Sequence, residues 1–179
     1  MDPFERFLRR PLDEVLVSQN VLTRETADSL LESAGSAGEP FGKAVLDAGT
    51  LTSWDLARLI GVHYQIPVQP LAGYKFEKAL FEGLRPELLH RHQVVPLAIF
   101  GKTRTFAVLE PPTRIVLDDL QAACGPSLFF FASEGPEISR VLHENVEIVD
   151  VSSDRGWHKL FDAADEQVSK ELTPGSEGP

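Results

Sequence analysis

The sequence predicts an α+β fold: an N-terminal layer of four helices, then a small sheet with helices packed on one face. Three observations predict it. The first third contains a tandem repeat of helical period, with Leu22 falling on Leu51, Thr23 on Thr52 and Leu30 on Leu59, an offset of 29 residues. A pair of apolar runs, Val94–Phe100 and Thr105–Leu109, is joined by Gly101-Lys102 and reads as a β-hairpin. Helical periodicity then returns twice, on either side of the apolar run 127–132.

The repeat units run over 12–32 and 41–61. In the first, Leu12, Val15, Leu16 and Gln19 recur at helical spacing and Asn20 supplies a left-handed stop. Thr23 caps a second helix with Ala27, Leu30 and Leu31 on its apolar face. In the second, Phe41, Ala44, Val45 and Ala48 form the first helix and Gly49 ends it. Thr52 with Asp55 resembles a capping box, and Leu56, Leu59 and Ile60 carry the buried face. Neither helix pair can bury its stripe alone, so the copies stack. Between them, Gly35-Ser36-Ala37-Gly38-Glu39-Pro40 is turn chemistry.

The organisation expected is a helical subdomain over 8–64, an α+β subdomain over 65–146, and a tail over 147–179. Ile66-Pro67-Val68 reads as a short extended stretch, and Pro86–His92 as a helix opened by a proline in its first turn. Pro111-Pro112 break the chain before a helix over 113–123 with Ile115, Leu117 and Leu120 inward. Residues 127–132 read as a buried strand in which the middle of Phe129, Phe130 and Phe131 faces away from its neighbours. Glu134–His143 is a last helix through Ile138, Val141 and Leu142. In the tail, 147–151 alternates like an edge strand, and Trp157, Leu160, Phe161, Ala164, Val168 and Leu172 fall near helical spacing. That segment reads either as a helix packed back on its own domain or as a docking helix presenting Trp157, Leu160 and Phe161 to a partner.

Composition narrows the function. With 42% hydrophobic residues the chain buries a core, and 27 acidic against 17 basic side chains give a net charge of −10. That field repels phosphate backbones and anionic membrane surfaces, so nucleic acid is not an expected partner. The single cysteine, Cys124, excludes an intrachain disulfide and a cysteine-based zinc site. No secretory leader and no run of about 20 apolar residues is present, so a cytoplasmic protein without membrane insertion is expected.

The apparent catalytic signals have plainer readings. Gly101-Lys102-Thr103 resembles the end of a phosphate loop, but Pro96 stands where its first glycine would be, and no helix follows. His63, His90 and His92 lack accompanying carboxylate or cysteine spacing, so no metal site is expected. Asp118 and Asp119 are helix neighbours rather than an opposed pair, and Ser127 and Ser133 lack a nucleophile elbow. No catalytic residue and no cofactor follows from the pattern.

The double repeat, followed by DLARLIGVHYQIPVQPL, PELLHRHQVVPLAIFGKTRTFAVLEPP, VLDDLQAACG and EISRVLHENV, resembles the N-terminal domain of type II secretion and type IV pilus assembly ATPases. The resemblance covers about residues 8 to 145, and the sequence carries no ATPase motif set. It implies a stand-alone regulatory or adaptor domain acting through a protein partner of a secretion, pilus or related assembly. In some members a tandem motif, Arg-Leu-Gly with a turn glycine and a closing Gln, binds cyclic-di-GMP, which is the alternative function. Here Pro11, Leu12 and Asp13, then Pro40, Phe41 and Gly42, stand at the two Arg-Leu-Gly positions. Asn20 and Gly49 stand at the turns, and Ala34 and His63 at the two Gln positions. Proline can neither stack on guanine nor pair with phosphate as arginine does. On this alternative the contact set would be Arg10, Leu12, Asn20, Leu22, Gly42, Gly49, Leu51 and His63.

Overall fold

The chain divides into two units, Met1–Glu147 and Ile148–Pro179, and the computed structural model describes residues 2–148. Trp157, Leu160, Phe161 and the rest of the expected tail helix lie outside the described residues, as do the last three positions of the strand expected over 147–151.

The first unit opens with a short helix α1 (Glu5–Leu8) and then the repeat: α2 (Leu12–Ser18), α3 (Arg24–Ala37), α4 (Phe41–Asp47) and α5 (Ser53–Tyr64). Local chemistry sets each boundary. Pro11 and Pro40 stand extended just before α2 and α4. Asn20 and Gly49 take the left-handed region, with φ of 57° and 71°. Thr23 Oγ1 accepts from Thr26 N and Thr52 Oγ1 from Asp55 N, each at 3.1 Å. The Thr52 hydroxyl also donates to Asp55 Oδ2 at 2.7 Å, so this box closes on the cap's hydroxyl rather than its amide.

Three local expectations are corrected. The turn expected over 35–40 is shorter, because α3 runs on through Ala37 until Gly38, with φ of 66°, ends it. Gly35 lies inside that helix, with open space where a Cβ would stand. Leu31 and Ile115, expected on buried faces, are 39% and 68% exposed. The buried stripes follow Ala27 and Ala34 on α3, and Val116, Leu117 and Leu120 on the later helix. In both cases most of the expected stripe is kept and only its edge moves, since periodicity fixes the centre of a stripe better than its margin.

After a single 3-10 turn (Lys78–Phe81) come α6 (Pro86–His92), β1 (Val94–Phe100), β2 (Thr103–Val108), α7 (Arg114–Cys124), β3 (Leu128–Ala132) and α8 (Gly135–Asn145). The sheet order is β1-β2-β3; β1 pairs antiparallel with β2, and β2 parallel with β3 across the α7 connection. The extended stretch at 67–69 joins the far edge: Gln69 N donates to Ala132 O at 2.8 Å, and Ala132 N to Pro67 O at 2.9 Å. Helices pack around this sheet. Phe106 and Ala107, whose side chains leave opposite faces, are both fully buried, so cover reaches both sides at that level.

The helical layer and the sheet share one core. Its centre is aromatic: Phe130 meets Phe7 at 5.7 Å between ring centroids, and Phe4 and Phe106 each at 6.0 Å. As expected, the middle phenylalanine of the triple run points away from its neighbours, and it is the buried one.

Candidate functional site

The repeat residues separate between the two ends of α2 and α4. Leu12 and Gly42 lie at the helix starts, whereas Asn20, Leu22, Gly49 and Leu51 lie past their ends. A seven-residue helix is about 10 Å long, which sets the scale of that separation. Leu12 and Leu22 are buried and Leu51 half-buried, so all three serve packing. Asn20 and Gly49 are exposed turn residues. Arg10 and His63 do come together: burial first, then the Arg10 charge, hold the imidazole below its ordinary value. Beside them the Tyr64 hydroxyl donates to Arg10 O at 2.7 Å.

A cavity of ≈ 260 Å³ opens at the starts of α2 and α4. Its walls include Phe7, Leu12, Leu31, Phe41, Pro111 and Pro112, with the charged side chains of Glu110, Asp13 and Arg114. Glu110 stands two residues past the end of β2, and the two prolines stiffen the turn that aims it. Its Oε2 accepts from Gly42 N at 2.6 Å. A Cβ at 42 would stand 3.3 Å from Oε2 and 3.4 Å from Leu109 Cγ, so a larger residue there would displace the carboxylate by a few tenths of an ångström. Burial pushes the Glu110 carboxyl up to about 7, against the opposing pull of the Gly42 amide. Two basic side chains here are held in ion pairs: Arg24 with Asp13 and Arg114 with Asp2, each at 3.1 Å. Burial and the charges of Asp13 and Glu110 raise the Tyr64 phenol above its ordinary range.

Sequence reasoning missed Glu110. The available signal was one acid placed between an apolar strand and Pro111-Pro112. Its partner lies 68 residues earlier in the chain, and no periodicity connects the two.

The other polar groups are used structurally. Gly101, with φ of 61°, and Lys102 turn β1 into β2, and no helix follows. His90 Nε2 lies 2.9 Å from Val146 O, and the His90 and His143 rings meet edge-on at 5.8 Å. Asp119 pairs with Arg85 at 2.7 Å, while Asp118 is exposed. Ser133 Oγ donates to Gln69 O, and Ser127 Oγ shares a hydrogen bond with Thr103 Oγ1. Cys124 Sγ accepts from Arg104 at 3.3 Å. Among the described residues no three His, Cys, Asp or Glu side chains are grouped to hold a metal ion. None of the described helices is long and apolar enough to cross a membrane.

A second surface is the open end of the sheet. Phe100 pairs with Thr103, and Phe129 with Thr105, which places both phenylalanines and Phe131 on one face. The Val95 and Ala107 end of that face is buried, but Phe100 is 70% and Phe129 is 39% exposed. Phe129 and Phe131 stack edge-on at 5.1 Å, so the aromatic surface is ordered by its own packing.

No family model matches the chain. It is 20% identical over 158 residues to the type IV pilus assembly ATPase PilB of Myxococcus xanthus (strain DK1622). That match takes in 80% of this chain, which spans only 28% of the length of PilB. A structure of MshE with cdg superposes with a TM-score of 0.55 at 15% identity, covering 76% of this chain and 99% of that one. The N-terminal domain of XpsE superposes with a TM-score of 0.52 at 14% identity, covering 73% and 90%. A second crystal form of XpsE gives 0.54, covering 78% and 92%. The chain therefore has the fold of these secretion-ATPase N-terminal domains.

Proposed function

We propose that the chain is a non-catalytic regulatory or adaptor domain that acts by protein–protein contact, with a secretion, pilus or related assembly component as its partner. The carrying observation is the aromatic end of the sheet, where Phe100, 70% exposed, shares a face with Phe129 and Phe131 across β2. Large apolar side chains gathered on one exposed face mark contact surfaces. The fold shared with MshE and XpsE supports the class of assembly, as does the partial match to PilB. The apolar pattern of Trp157, Leu160 and Phe161 adds a second candidate contact. A cytoplasmic setting fits this reading.

A second reading, a cyclic-di-GMP receptor, is favoured by one observation: the structural relative MshE was solved with cdg. Two features of this chain weigh against it. Pro11 and Pro40 stand where the motif has arginines. At the second motif the Gly42 amide is already taken by the Glu110 carboxylate, whose charge opposes a phosphate.

Site-specific photocrosslinking in cells tests the docking reading. A photoreactive residue at Phe100 is expected to trap one assembly component, whereas one at exposed Glu32 traps none. Identical crosslink patterns from both positions, or none from Phe100, would overturn it.

A further inference from the structure

The fold favours the protonated form of Glu110, so the ionised form in this cavity lacks a counter-charge. A carboxylate packed among Phe7, Leu12, Phe41 and two prolines has a single donor, the Gly42 amide, and no cationic partner among the described residues. Burying such a group is costly unless a charge of opposite sign meets it. Arg114, in the cavity wall, does not, since it binds Asp2 at 3.1 Å, and Arg24 is held by Asp13, another wall residue. An anion entering here would be repelled, and a purely apolar guest would leave the carboxylate without a counter-charge. A guest with an aliphatic stem and a cationic head satisfies both the walls and Glu110. The volume, ≈ 260 Å³, is below the about 300–1,000 Å³ of drug-sized ligand sites and suits one long side chain.

We infer that the Glu110 cavity receives a single guanidinium or ammonium side chain, an arginine or lysine presented by the protein partner. This rests on the docking reading above and gives that contact a charged anchor, apart from the aromatic end of the sheet. Glu110 meets the cation, Gly42 N holds the carboxylate in place, and Phe7, Leu12 and Phe41 line the stem.

The Gly42 amide reports directly on Glu110, so amide NMR of the full chain tests the inference. n-Butylguanidinium is expected to shift the Gly42 signal saturably, and its neutral isostere N-butylurea to leave it unmoved. Glu110→Gln, which keeps an oxygen for the Gly42 amide, should weaken the cation by about tenfold or more. Leu31→Trp, at the exposed rim, should weaken it while leaving Glu110 and the fold intact, and so stands in if the glutamine variant misfolds. Equal response to both probes, or undiminished affinity in both variants, would overturn the inference. The source of the cation is read by comparing agmatine with a short peptide carrying one arginine between leucines. Tighter binding of the peptide supports a partner's side chain; equal or tighter binding of agmatine overturns that assignment. Photocrosslinking from Phe100 keeps the two proposals separable. A retained crosslink with no cation binding sinks the cavity inference alone, whereas cation binding without the crosslink sinks the docking reading.

Discussion

The two repeat units share a grammar and differ in fate. Each reads proline, short helix, left-handed residue, threonine cap and longer helix, and the two caps have the same geometry. Yet α5 buries Leu56, Ala57, Ile60, Gly61 and Tyr64 and packs on β3, whereas α3 buries only Ala27 and Ala34. At the repeat offset Ile60 corresponds to Leu31: the first is completely buried and the second is 39% exposed. The helix starts diverge too. Asp13 turns its carboxylate to Arg24, while its counterpart Gly42 has no side chain and lends its amide to Glu110. Local sequence builds the element; position beside the sheet decides what it does.

The sharpest way to break this comparison is to truncate the paired residues. Ile60→Ala should cost about 2–5 kcal/mol, while Leu31→Ala should cost about 0.5 kcal/mol. Urea midpoints of the two variants read the difference directly, and equal losses would mean the units are packed alike. Next in size is Gly61, where a Cβ would stand 2.9 Å from Val68 Cγ2 and 3.0 Å from Ile66 O. Gly61→Ala should destabilise by about 1–3 kcal/mol, against no more than about 0.5 kcal/mol for its exposed counterpart in Glu32→Ala.

Glu110 supplies a pH test. Its folded value of about 7 lies above the ordinary 4.5, so the protonated form is the one the fold favours. That contribution is complete below the unfolded value and is lost as pH rises through about 7. The stability of the native protein relative to Glu110→Gln should therefore fall between about pH 4.5 and pH 7, by about 2 kcal/mol once partial accessibility is allowed for. Asp13 and Arg114 at the rim, and Tyr64 and His92 close by, are present in both proteins and cancel in the difference. A flat difference would remove Glu110 as a titrating group of the core. The smallest expected effect is a symmetry: Thr23→Ala and Thr52→Ala should each cost about 1 kcal/mol, because both caps are exposed and alike. A large disparity in thermal midpoint between them would show that the second cap depends on its Asp55 contact.

The same comparison explains what was legible in the sequence. Capping threonines, left-handed stops, the hairpin turn at Gly101 and the Pro86 helix start are short-range chemistry, and they stand where the pattern puts them. The burial of Ile60 against the exposure of Leu31 is set by β3, whose residues lie far along the chain, and a repeat pattern treats the two alike. Glu110 was illegible for the same reason, since its meaning comes from an amide 68 residues away. The candidate dinucleotide set was drawn from the motif alone; the structure divides it between packing leucines, turn residues and the Arg10–His63 neighbours.

The measurement that bears most directly on the account is calorimetric titration of the full chain with cyclic-di-GMP, with Leu12→Asp as the disrupted-repeat control. A repeat retained for packing and docking predicts no saturable heat from either protein. Micromolar or tighter binding that Leu12→Asp abolishes would contradict the account, and would mean that the repeat reads the dinucleotide without its arginines.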